Sequence, residues 1–271
     1  MTIGIVGLGL IGGSIGLALR EPGRKIIGYD VNAESVKTAK DRFCIDTFAV
    51  LAEVAKADVV FVAVPPSHVI STLTELSALK DPHTVVTDCT SAKAEVNAWS
   101  LEAKDPHFVI AHPMAGHEKS GAAYASAWMF RGAKWIVSPQ KWTATLATKS
   151  LEDLIKAMGA TPVRMEAEEH DRQIARVSHL PHAMAALLVL LQNGPREVEV
   201  AGGSWRDLTR VAGVDPDLWT QIFMANRTEI SIALEEAQSK LAVLKEDLDS
   251  GNAAGVRTFF EQARAAKLRS E

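Results

Sequence analysis

A short apolar run, Thr2 to Val6, passes directly into Gly7-Leu8-Gly9-Leu10-Ile11-Gly12, and the residues beyond it are apolar at helical spacing to about position 20. A strand turning at once into a helix over three glycines leaves few folds open. The first glycine allows the tight turn, the second lets a pyrophosphate approach the backbone, and the third lets helix and strand pack closely. The helix start adds unpaired N–H groups and the positive end of a dipole for phosphate. Eighteen residues after Gly12 the next apolar run ends at Asp30, where a carboxylate can accept from both ribose hydroxyls of an adenosine. That carboxylate would repel a 2′-phosphate, so NAD is expected over NADP, although Arg24 or Lys25 lies near enough in sequence to approach a phosphate. Glycines that merely serve a tight turn are the alternative.

The pattern beyond this unit is repetitive up to about residue 165. TIGIV (2–6), KIIGYD (25–30), DVVFVAV (58–64), TVVTD (84–88), HFVIAH (107–112), KWIVS (134–138) and TPVRM (161–165) read as buried strands. Amphipathic segments at 10–20, 32–40, 66–79, 91–103 and 143–158 lie between most of them. Such alternation predicts an α/β fold, a doubly wound, mainly parallel sheet of the Rossmann type. After 165 the strand pattern stops, and 166–192, 204–212, 215–249 and 252–269 read as helices. Two domains are therefore expected, a dinucleotide-binding domain over 1–165 and a helical domain over 166–271. The segment LPHAMAALLVLLQ (180–192) is apolar almost all round, which predicts burial in the domain centre or in a subunit interface.

Charge divides at the same place, with 17 basic against 16 acidic residues up to position 165 and 12 against 17 beyond it. A net charge of −4 argues against a nucleic-acid partner. No apolar run reaches the roughly 18 residues of a membrane span, and the N-terminus lacks the basic lead of a signal peptide. Two cysteines, Cys44 and Cys89, make neither a disulfide framework nor a zinc site, so a cytoplasmic location is expected.

Several side chains are candidates for chemistry. His112 ends a strand that points at the cofactor crevice, inside His112-Pro113-Met114-Ala115-Gly116. An imidazole there can accept the proton released when an alcohol is oxidised, or it can be a polar strand terminator. Ser91, in Asp88-Cys89-Thr90-Ser91-Ala92-Lys93, can cap the next helix or hydrogen-bond a substrate hydroxyl; the cap is the better reading. Val64 and Pro65, at the end of the DVVFVAV run, border the cofactor or stop the strand before Ser67 caps a helix. His179 and His182 share a helical face, but without a third ligand no metal is expected. His182 needs either an internal hydrogen bond or an anionic ligand. Arg206 and Arg210, four apart, suit a carboxylate or form a solvated surface pair. His68, His83, His107 and His170 read as solvated.

Taken in order, GLGLIGGS, DCTSAK, HPMAGHEKSG, SHLPH and GGSWRDLTRVAGVDPDLW resemble the prephenate/arogenate dehydrogenase family of tyrosine biosynthesis, over essentially the whole chain. The resemblance implies a helical domain that forms a homodimer and an oxidative decarboxylation of a cyclohexadienol with NAD. It implies that His112 takes the proton of the substrate's C4 hydroxyl and that Ser91 hydrogen-bonds the same hydroxyl. It likewise implies that Arg210 holds a substrate carboxylate and that His182, Arg206 and Trp219 line the pocket. Glu118 falls where the family has an acid near the entrance, gating it or pairing with a pocket cation. Prephenate is the expected substrate, because arogenate-preferring members can lack the second histidine of SHLPH. Arogenate or dual specificity is the alternative, and a dehydrogenase or imine reductase for another small acid, or a dinucleotide sensor without activity, is a more distant one. No mutase or regulatory domain is expected, so any tyrosine inhibition would act at the active site.

Overall fold

The computed structural model describes residues 1–117, 119–192, 194 and 199–269. Its strands are β1 (Thr2–Val6), β2 (Lys25–Tyr29), β3 (Thr47–Phe48), β4 (Val59–Val62), β5 (Val85–Asp88), β6 (Phe108–Pro113), β7 (Lys134–Ser138) and β8 (Thr161–Arg164). All seven expected strands are present. The addition is β3, whose two residues are too few to display an alternating pattern. Helices α1 (Leu10–Ala18), α2 (Ala33–Asp41), α3 (Leu51–Val54), α4 (Pro66–Leu79), α5 (Ala94–Ala103) and α6 (Thr145–Ala157) connect them.

The sheet order is β3-β2-β1-β4-β5-β6-β7-β8. The first six strands are parallel, with the order reversing between β1 and β4, the point where such sheets open a ligand crevice. β7 runs antiparallel to β6, and β8 is parallel to β7. Because side chains alternate along each strand, the sheet carries two cores. Ile3, Ile5, Phe61, Val109 and Trp135 pack with Ile15 of α1, Ala39 of α2 and Leu151 of α6. Val6, Val60, Val62, Phe108 and Ile110 pack on the other face with Val54 of α3, Leu73 of α4 and Val96 of α5. The same alternation sends His112, two residues past Ile110, to the α5 face.

Beyond Met165 the described residues contain helices and no strand: α7 (Ala167–Ile174), a π-helical turn (Ala175–His179), α8 (Leu180–Leu190), α9 (Gly203–Thr209), a 3-10 turn (Arg210–Ala212), α10 (Pro216–Ala225), α11 (Arg227–Asp249) and α12 (Ala253–Arg269). Two compact units result, Met1–Asn226 and Arg227–Glu271. The second is a hairpin of α11 and α12 turning at Gly251, which has a positive φ of 65°. The apolar α8 is not at a domain centre: Ala185 is its one buried residue, whereas Leu187 and Leu190 are exposed, Leu190 by 80%. Among the described residues no helix is long and apolar enough to cross a membrane.

Candidate active site

The glycine turn is built as its spacing requires. Gly7 has φ +92°, and a Cβ there would lie 2.4 Å from the carbonyl oxygen of Ala63, just past β4. A Cβ on Gly12 would lie 1.9 Å from the Gly7 oxygen, so the packing of α1 on β1 demands glycine. At Gly9 a Cβ would meet nothing within 4 Å, and the backbone is open to an incoming group. Leu8 is buried in the core, while Leu10 and Ile11 begin α1 half-buried. Asp30 is half-buried at the end of β2; its Oδ2 accepts from Leu8 N at 2.7 Å and its Oδ1 from Asn32 N at 2.8 Å. The carboxylate thereby ties the glycine turn to the neighbouring strand, and each oxygen retains a lone pair. Val64 and Pro65 follow β4 beside this turn, and Pro66 occupies the first turn of α4. Ser67 does not cap that helix, since the helix has already started; its N–H donates to Gln221 Oε1. An open backbone at Gly9, a helix start behind it and an acid at the end of β2 fit a dinucleotide.

His112 sits on β6 opposite Ile136 of β7 and is 7% exposed. Its Nδ1 lies 2.9 Å from His170 Nε2, and His170 Nδ1 lies 2.8 Å from Asp171 Oδ1. The expectation that His170 is solvated is wrong: it is fully buried. Asp171 Oδ1 and Oδ2 also accept from Lys93 N at 2.9 and 3.0 Å, and Oδ2 from Ala94 N at 2.9 Å. Those are the orphan donors at the start of α5. The capping role expected of Ser91 therefore belongs to Asp171, 77 residues from Ala94 in sequence. Ser91 is half-buried ahead of the helix.

This network assigns the tautomers. Asp171 only accepts, so His170 Nδ1 carries a proton and donates it. His170 Nε2 then accepts from His112 Nδ1–H, which leaves His112 Nε2 with a free lone pair. Burial holds the His112 pKa well below the ordinary 6.5, reinforced by repulsion from His170, Lys93 and His179. Burial likewise lowers His170, against the opposing pull of its Asp171 hydrogen bond. At neutral pH His112 is a neutral base.

The π turn after α7 places His179, and α8 directly behind it carries His182. His179 is 1% exposed, with its pKa lowered by burial to about 4. Asn226 Nδ2 donates to the Asp171 carbonyl at 2.9 Å and approaches His179 Nδ1 at 3.3 Å. His182 Nδ1 donates to the Ser178 carbonyl at 2.8 Å, which supplies the internal partner and leaves Nε2 able to accept. Its ring stacks on Trp219 at 3.8 Å, and Trp219 meets His179 edge-on at 6.3 Å. Arg206 on α9 and Arg210 at the start of the 3-10 turn are both exposed, and the turn packs on α8. Glu118 lies outside the described residues.

Four residues of this centre escaped the sequence reading: Asp88, Lys93, His170 and Asp171. The signal for two of them was present. Ala167, His170, Asp171 and Ile174 fall at i, i+3, i+4 and i+7, the buried face of α7.

A crevice shaped for a dinucleotide at the switch point of a parallel sheet, together with a neutral histidine base on β6, defines a dinucleotide-dependent dehydrogenase. Comparison with known proteins agrees. Residues 15–164 match the family model for the prephenate dehydrogenase nucleotide-binding domain, and residues 166–262 that for the prephenate dehydrogenase dimerization domain. The chain belongs to the prephenate dehydrogenase family. It is 33% identical to the prephenate dehydrogenase of Bacillus subtilis over 97% of this chain and 74% of that one. It is 27% identical to the cyclohexadienyl dehydrogenase of Zymomonas mobilis over 98% of this chain and 94% of the other. The crystal structure of prephenate dehydrogenase from A. aeolicus in complex with hydroxyphenyl propionate and NAD+ superposes with a TM-score of 0.90 at 31% identity, covering 100% and 98% of the two chains.

Proposed function

We propose that this chain converts prephenate to 4-hydroxyphenylpyruvate by oxidative decarboxylation, with NAD as cofactor. The observation that carries the reading is His112, a buried neutral imidazole whose Nδ1 is committed to His170 and whose Nε2 can accept a proton. Gly7, Leu8, Gly9, Leu10, Ile11 and Gly12 would hold the pyrophosphate, Asp30 the adenosine ribose, and Val64 and Pro65 the nicotinamide side of the crevice. Bound there, NAD supplies the two-electron acceptor. His112 Nε2 takes the proton of the substrate's C4 hydroxyl, a transfer that typically contributes ~10²–10⁴-fold. The imidazolium that forms keeps its Nδ1–H on His170, which Asp171 in turn orients. Ser91 donates to the same hydroxyl. Loss of carbon dioxide leaves an aromatic ring, so the protein's work is to position the substrate and remove one proton.

Arg210 binds a substrate carboxylate, with Arg206, His182 and Trp219 along the pocket and Glu118 at its entrance. Residues 1–165 act as the cofactor domain and 166–271 as the substrate and dimerisation domain, a division supported by where the two family models meet. The chain works as a homodimer; the exposed Leu187 and Leu190 of α8 support an interface there. Two free thiols, Cys44 and Cys89, support a reducing, cytoplasmic location. The test is a set of initial rates with prephenate and arogenate, each with NAD and NADP, for wild type and His112→Asn. Prephenate with NAD should be fastest, and His112→Asn should lose most of kcat. Faster turnover of arogenate corrects the substrate; a fully active His112→Asn overturns the mechanism.

A further inference from the structure

The pairing of β5 with β6 stops at Thr87↔Val109, one residue before β5 ends at Asp88 and four before β6 ends at Pro113. The next residue of β6 whose backbone faces β5 is Ala111, the immediate neighbour of His112. Its N–H donates to Asp88 Oδ1 at 3.0 Å, and its carbonyl accepts from Lys93 Nζ at 2.6 Å. Both of those side chains are buried, Asp88 at 0% and Lys93 at 1% exposure, and they pair at 2.5 Å. Every Lys93 donor is used. The three Nζ hydrogens of Lys93 are matched by Asp88 Oδ2, Thr90 Oγ1 at 3.1 Å and the Ala111 carbonyl. Asp88 Oδ2 also accepts from the N–H of Thr90 at 3.0 Å and from its hydroxyl. A lysine with all three donors spent inside the protein is not available to a substrate carboxylate. A buried ion pair is moreover expensive to desolvate and rarely worth keeping for stability alone.

We propose that Asp88 and Lys93 are positioning residues for the base: a buried ion pair standing in for the missing strand ladder, gripping both backbone groups of Ala111 and so fixing where His112 points. The proposal rests on the reading of His112 as the proton acceptor. It has an electrostatic corollary. The charged and titratable groups that act on His112 are Lys93 from the β5–α5 connection, His170 from α7 and His179 from the π turn, while Asp88 at the end of β5 and Asp171 on α7 act on His170. β7 offers Ile136 at this position, and the buried residues of α5 are Val96, Asn97 and Ser100. Lys93 is the one permanent cation in this set, and its charge disfavours protonation of His112.

The test is the double variant Asp88→Asn/Lys93→Met, which removes both charges without leaving either one unpaired. Its kcat should fall about tenfold or more, as expected for a base displaced by a fraction of an ångström, with KM for both substrates within twofold. In protein without cofactor or substrate, the His112 ring titration followed by 15N NMR should move to higher pH. Unchanged kcat together with an unchanged ring titration overturns the proposal. Thr90→Val, which removes one partner of the ion pair and no charge, should lower kcat severalfold and leave KM alone. If the double variant does not fold, an unchanged kcat in Thr90→Val overturns it instead. Full activity of His112→Asn would sink the underlying mechanism, whereas an inactive His112→Asn beside a fully active double variant would sink only the positioning role.

Discussion

Substituting Asp171 by asparagine should reverse the direction of the histidine chain. In the wild type, Ala94 N donates to Oδ2 alone, while His170 Nδ1 faces Oδ1. An asparagine keeps its single oxygen where Lys93 N and Ala94 N both point at it, on the Oδ2 side, so its NH2 group falls opposite His170 Nδ1. That ring must then accept at Nδ1 and carry its proton on Nε2, which donates to His112 Nδ1. The His112 proton moves to Nε2, the atom that has to receive one. Restoring the productive tautomer sets two buried N–H donors against each other, at about 1–3 kcal/mol each. The sum, roughly 2–6 kcal/mol, corresponds to a loss of about 30-fold to 20,000-fold in kcat. NADH formation from saturating prephenate gives kcat, and KM for both substrates should stay near wild type because Asp171 and His170 lie behind His112, away from its Nε2. Nitrogen-15 spectra of the histidine rings would show the tautomer exchange directly. A variant that keeps kcat within threefold of wild type, folded and with the rings unchanged, refutes the assignment of the chain.

The acid limb of the kcat/KM profile should lie below pH 6.5, because burial, reinforced by His170, Lys93 and His179, depresses the His112 pKa and the base stays free until pH falls through that lowered value; a limb at or above 6.5 contradicts this. Asp30→Ala should raise KM for NAD about 10- to 100-fold, the worth of a charge-assisted hydrogen bond of ~1.5–3 kcal/mol, and relax exclusion of NADP. Equal use of NAD and NADP by the wild type would show that Asp30 does not discriminate. Arg210→Ala should raise KM for prephenate by a similar factor while kcat changes little, the mark of lost uniform binding, and a fall confined to kcat would point elsewhere.

Most of the sheet could be read from the chain because each strand was long enough to be apolar as a block and each helix long enough to show its period. β3 had neither property. The cofactor turn was equally legible, since Gly12 is required by contact with Gly7 and Gly7 by contact with the end of β4, the strand beside β1 in the sheet. What could not be read was whatever depended on distant partners. Ser91 and Ser67 looked like helix caps by local rules, but a carboxylate from α7 and a proline start took those positions. His170 stands among Glu168, Glu169, Asp171 and Arg172, a polar neighbourhood that conceals its burial unless helical period is weighed above composition. Lys93 is similar: a lysine in a polar-looking turn gives no sign that two strand ends will close over it.

The antiparallel seventh strand bears on how this enzyme can change. His112 and Pro113 are laddered to Ile136 and Trp135, so the base is anchored from both sides almost to the last residue of its strand. The chain that follows rejoins the core at Ala122, Ala125 and Phe130, which pack with Ile15 of α1, and Arg42 donates to the Ala125 carbonyl. Between the anchored end of β6 and that segment, length, composition and charge can drift or be exchanged between relatives while the proton-transfer geometry stays put. Grafting experiments aimed at redirecting specificity therefore have a natural pair of splice points at Met114 and Gly121, with the buried segment behind them kept.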